Sequence, residues 1–151
     1  MTGHLETIYV GKPATGTSKL ETVIERRQYL CLADKMRLMA RTLRNCKEKQ
    51  CIGTFYDDRN NSMCAYGALG YMSGMPKEDL VRGDFTGVLR NYGLDLEDGG
   101  LLVNLPDEAM DENYPQRQIS LFASLYTMND RGLSFNEIAT HLDIWADNLQ
   151  S

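Results

Sequence analysis

The chain has 151 residues, 42% of them hydrophobic and 25% charged, which fits one domain with one core. It holds no run of 18 apolar residues, and this excludes a helical membrane span. The net charge of −5 is unevenly placed: residues 1–51 carry ten Lys/Arg against five Asp/Glu, and residues 52–151 carry six against sixteen. Such a split can mark a nucleic-acid face or an acidic partner-binding surface, and its plainer reading is two halves that attract each other within one fold.

The opening MTGHLETIYV places Thr, His and Glu where a signal peptide needs an apolar segment, so a cytoplasmic protein is expected. Residues 1–17 are read as a flexible tail and 18–151 as a single helical domain. Within the tail, GKPATGTSK (11–19) has the glycine spacing of a phosphate-binding loop, but Thr17 stands where the motif requires lysine, so nucleotide binding is not expected. Ser18 and Glu21 form a capping box, and apolar residues at 29, 32, 33, 36, 39, 40 and 43 predict a helix over 19–45, with Gln28 as a point where it can break. Its opposite face carries Lys35, Arg37, Arg41 and Arg44.

A short strand is expected over 51–56, then a polar loop. Residues 64–72, apolar nearly all round and closed by Gly74, predict a buried core helix. Pro76 starts a turn or two of helix over 77–82, and Asp84 caps another that ends at Gly93. The acidic stretch that follows has one apolar patch at 101–105, read as an edge strand partnering 51–56. Pro115 opens a helix with apolar residues at 119, 122, 125 and 126. A second capping box, Ser134 with Glu137, starts the last helix, whose apolar face includes Ile138, Leu142 and Trp145.

Several constellations bear on chemistry. Cys64, at the start of the core helix, is a candidate nucleophile, and His141 is the one base outside the tail, with Asp143 beside it. Both are weak candidates, because neither base nor orienting carboxylate is drawn to the thiol by spacing. The four cysteines, Cys31, Cys46, Cys51 and Cys64, contain no C-x-x-C pair, so no metal site and no cofactor are expected. LSFNEIATHLDI (133–144) resembles the first helix of a helix-turn-helix, but no Lys or Arg follows Arg131 and the reading helix is missing. An EF-hand loop at Asn129 to Glu137 fails on the Gly-to-Glu spacing. Acidic pairs in loops are read as solvated surface.

CAYGAL (64–69) and Asn129-Asp130 also carry a resemblance. With them the chain resembles a family of small bacterial and phage proteins of unknown function, built from an amphipathic helix, a C-x-x-G-A-L helix and a W-N-D turn before a final E-(I/V)-x-x-x-L helix. The last is matched by Glu137, Ile138 and Leu142. The resemblance spans about 30–149, with Met128 where the tryptophan is usual, and it implies a compact helical domain. Cys64, Gly67, Ala68, Leu69, Asn129 and Asp130 are accounted for by close packing and turn chemistry.

The expectation is therefore a mainly α protein, one helical domain with at most a small two-stranded β element. It is expected to act by binding an unidentified protein partner, with no membrane role. The expected contact surfaces are the basic face (Lys35, Arg37, Arg41, Arg44) and an acidic stretch of Asp95, Glu97, Asp98, Asp107, Glu108, Asp111 and Glu112. The alternatives are a Cys64-dependent hydrolase or transferase, and nucleic-acid backbone binding by the basic face.

Overall fold

The computed structural model describes residues 18–110 and 117–150. The tail, the side chains of the Ser18–Glu21 capping box, Asp111, Glu112 and Pro115 lie outside the described residues. The fold is mainly α. Helices α1 (Ser18–Gln28) and α2 (Leu32–Asn45) are separate, where periodicity predicts one helix that can break near Gln28. Tyr29, the first residue of the predicted stripe, is 88% exposed, whereas Ala33, Met36, Met39, Ala40 and Leu43 are buried. The break has a physical cause. Arg27 is fully buried, its Nη1 donates to the Asn91 carbonyl at 2.5 Å, and its guanidinium lies over the Tyr92 ring. Gly93 presses on the Arg27 backbone so closely that a Cβ would stand 2.6 Å from the Arg27 carbonyl. The end of α1 is thus anchored at the 91–93 corner while α2 turns its own stripe to the core.

The most extensive helix packing joins α2 to α8 (Phe135–Gln150). Ile138, Ala139, Leu142, Trp145 and Ala146 of α8 are buried, at i, i+1, i+4, i+7 and i+8, the stripe a helix facing a helix requires. The capping box at its start forms as expected: Ser134 N–H donates to Glu137 Oε1 at 2.9 Å and Glu137 N–H to Ser134 Oγ at 3.1 Å.

Helix α3 (Ala65–Met72) is the core helix, with Ala65 through Gly70 buried, and the chain leaves it through Gly74 at φ +83°. A Cβ at Gly67 would stand 2.0 Å from the Phe55 carbonyl oxygen, so only glycine admits that backbone. Against α3 pack α4 (Lys77–Arg82) and α5 (Phe85–Asn91), which Asp84 caps by accepting from Gly87 N–H at 2.9 Å, and α6 (Leu96–Gly99) follows them in the chain.

The strands pair differently from the expectation. β1 (Lys49–Gln50) runs parallel to β3 (Ser62–Met63), and β2 (Tyr56–Asp57) runs antiparallel to it. β4 (Leu102–Asn104) pairs instead with β5 (Gln118–Ser120), antiparallel, so 101–105 does not partner the first sheet. Of the strand expected over 51–56 only Tyr56 lies in a strand, 51–55 being the bent connection from β1 to β2. The Asp57 carboxylate accepts from Arg59 N–H at 3.0 Å and Asn60 Nδ2 at 2.8 Å, folding the loop so that β2 returns onto β3. Closing that short loop costs less chain entropy than recruiting a strand some forty residues away. Likewise, the helix expected from Pro115 begins only at α7 (Leu121–Asp130), where Ser120 Oγ accepts from Ala123 N–H at 3.1 Å. Ile119 belongs to β5. The buried face of α7 is Leu121, Ser124, Leu125 and Met128, which leaves Phe122 half-buried and Tyr126 exposed.

Candidate functional site: a cleft where two motif segments meet

The start of α3 and the end of α7 are joined by one fully buried side chain. Cys51 N–H donates to the Met63 carbonyl at 3.0 Å, as the parallel ladder requires. The next rung would run from Ala65 N–H to the Cys51 carbonyl. Asn129 stands in that rung: its Oδ1 accepts from Ala65 N–H at 3.0 Å and its Nδ2 donates to the Cys51 carbonyl at 2.9 Å. The two backbone partners fix which way the amide points. Gln50 extends the network, with Nε2 donating to Asn129 Oδ1 and to the Leu133 carbonyl, both at 2.8 Å, and Oε1 accepting from Phe135 N–H.

Because a side chain replaces the rung, the chain after β1 parts from the chain after β3, and the gap is a cleft of about 300 Å³. Cys64, Asp130 and the Gly53–Thr54 backbone bend line one part of it. Phe55, Phe85, Phe122 and Tyr126 line the rest, the rings touching in sequence with centroids 5.0 Å apart for Phe55–Phe85, 5.7 Å for Phe85–Phe122 and 6.2 Å for Phe122–Tyr126. Tyr66, buried beneath them, donates its hydroxyl to the Phe122 carbonyl at 2.6 Å and pins α7 to α3, and burial holds its phenol well above the ordinary range. On the other side of Tyr126 and Asp130 is a second hollow of about 400 Å³, with Leu105, Ala109, Ile119 and Ala123 in its wall.

Asp130 is the charged side chain of the first cleft. Its Oδ1 accepts from Gly53 N–H at 3.3 Å, and among the described residues no Lys or Arg pairs with it.

Cys64 is buried, with 5% of the residue exposed. Burial pushes its pKa up, the Gly67 and Tyr66 N–H groups oppose that in part, and Cys51 and Asp130 add to the rise. It is therefore a neutral thiol, the opposite of an activated one. His141 is not brought to it. The imidazole Nε2 lies 3.5 Å from Glu108 Oε2 and the ring beside Trp145, while Asp143 is taken up by Arg44 at 2.6 Å.

The basic face expected to meet a partner is largely engaged within the chain. Lys35 is 6% exposed and pairs with Asp98 at 3.1 Å. Arg37 pairs with Asp34 at 3.2 Å and Asp147 at 2.9 Å, Arg44 pairs with Asp143, and Arg41 is half-buried. The acidic stretch is likewise occupied in part. Asp95 and Asp98 make the reciprocal cap of α6, Asp107 pairs with Arg117 at 2.6 Å and Glu108 meets His141, while Glu97 is exposed.

Of the residues singled out in the sequence, Cys64, Gly67, Asn129 and Asp130 do meet, Gly67 through its contact with Phe55. Missed were Gln50 and the aromatic wall. One signal for the wall was present: Phe122, Tyr126 and Asp130 are four apart, one face of a helix, and that face is distinct from the buried one. No family model matches the chain, and neither does any curated protein or solved structure.

Proposed function

We propose that this is a small cytoplasmic accessory protein of bacterial or phage type that works by binding a partner macromolecule, and that the partner is met at the aromatic cleft. The observation that carries this reading is the side-chain inventory of the cleft. Four aromatic rings, a neutral thiol and an exposed carboxylate border open space beside a tightly packed core helix. Concave sites with apolar walls and a few placed polar groups are where proteins take ligands. The paired state of Lys35, Arg37 and Arg44 argues against the basic face as the contact, and against phosphate-backbone binding through it.

The test is affinity capture from native host extract with three baits: wild type, Asp130→Lys and Arg41→Glu. A partner retained by wild type and Arg41→Glu but lost by Asp130→Lys is expected. Loss with Arg41→Glu and retention with Asp130→Lys would move the contact to α2 and overturn the reading.

A further inference from the structure

We infer that the occupant of the cleft is the side chain of an arginine presented by a partner polypeptide, a deduction that rests on the cleft being the binding site. Three observations point to this chemistry. The wall carries four aromatic rings, Phe55, Phe85, Phe122 and Tyr126, and a planar guanidinium stacks on aromatic rings while remaining charged. At the mouth stands the Asp130 carboxylate, engaged by Gly53 N–H and by no cation among the described residues, so it can accept the paired N–H groups of a guanidinium. The Cys64 thiol in the wall, its pKa pushed up by burial, stays neutral and sets no competing charge there. An anion would instead meet the Asp130 carboxylate.

A polypeptide is favoured as the source because the cleft does not stand alone. Tyr126 and Asp130 are shared with the second hollow, whose wall of Leu105, Ala109, Ile119 and Ala123, with Thr127 and Arg131 beside them, can receive an uncharged neighbouring residue of the same chain. Two hollows of about 300 and 400 Å³ share one helix edge, so an extended chain can place successive side chains in them.

The test uses ¹⁵N-labelled protein titrated with four probes: acetyl-Leu-Arg-Gly-amide, the same peptide with citrulline for arginine, the same with leucine for arginine, and N-butylguanidinium. Citrulline keeps the shape and removes the charge. The expected result is saturable shifts at the amides of Gly53, Cys64, Tyr126 and Asp130, with the arginine peptide bound at least about tenfold more tightly than the citrulline peptide, the scale of one charge-assisted hydrogen-bonded pair. Asp130→Asn keeps an acceptor for Gly53 N–H, and in it that preference should fall to about onefold. Equal binding of all three peptides in the cleft overturns the choice of arginine and leaves the cleft as the site. N-butylguanidinium bound as tightly as the arginine peptide overturns the polypeptide source. If no probe moves the cleft amides, both the occupant and the site fall.

Discussion

A buried amide that stands in for a ladder rung makes demands no other side chain meets. Asn129 must present an acceptor to Ala65 N–H and a donor to the Cys51 carbonyl at once. Asn129→Asp preserves the shape and loses the donor, placing oxygen against oxygen in a site closed to water. A loss of about 3 kcal/mol is expected in urea unfolding, the cost of a buried group deprived of its partner. Gly67 faces a similar constraint from sterics. With a Cβ 2.0 Å from the Phe55 carbonyl, Gly67→Ala must push that segment away, at about 3 kcal/mol. Because Phe55 walls the cleft, the same variant should weaken partner capture more than its stability loss explains. Cys64 yields a chemical test. Iodoacetamide at pH 7 should label the exposed Cys31 while Cys64 stays unmodified, because burial keeps the thiol protonated. Rapid labelling of Cys64, mapped by peptide mass, would restore it as a nucleophile.

Among the elements, α8 carries a pH dependence whose sign can be worked out. The Ser134 backbone N–H and hydroxyl hold the Glu137 carboxyl below its usual value. A group depressed in the folded state contributes stability above its unfolded pKa, and that contribution is lost as the pH falls through the folded value. Glu137→Gln should therefore lower Tm at pH 7, and the gap from wild type should close as the pH drops below the ordinary glutamate range. An undiminished gap in acid would contradict the ionic part of the cap.

The elements also show what the residues made legible. α2, α3, α5 and α8 follow from local signals: the 36, 39, 40, 43 stripe, the side-chain-poor 65–70 run, Asp84 and Ser134 as caps. The break at 29–31 depends on Arg27 reaching Asn91, a contact 64 residues distant that no local pattern encodes. The strand partners were missed for the same reason, since two- and three-residue strands carry almost no period and their pairing is settled by turns. On α7 the helical period was visible but its phase was not. Phe122 and Tyr126 look like core residues until Leu121, Leu125 and Met128 take the core side, and that choice left the cleft unseen.

At the scale of the molecule, part of the uneven charge is neutralised inside the fold. α2 meets the acids of α6 and α8 through Lys35–Asp98, Arg37–Asp147 and Arg44–Asp143. With those cations paired and a net charge of −5, fluorescence anisotropy with a labelled duplex at low salt should show no saturable binding. A steep fall of measurable affinity with salt would revive the nucleic-acid reading.

The central claim is that the place where the 64–69 and 129–130 segments meet is where the partner sits. Photo-crosslinking in the native host tests it most directly, with p-benzoylphenylalanine replacing Tyr126 in one variant and Arg41 in another. The account predicts a discrete adduct from position 126, abolished when Asp130→Lys is added, and none from position 41. An adduct from position 41 with none from 126 would contradict it.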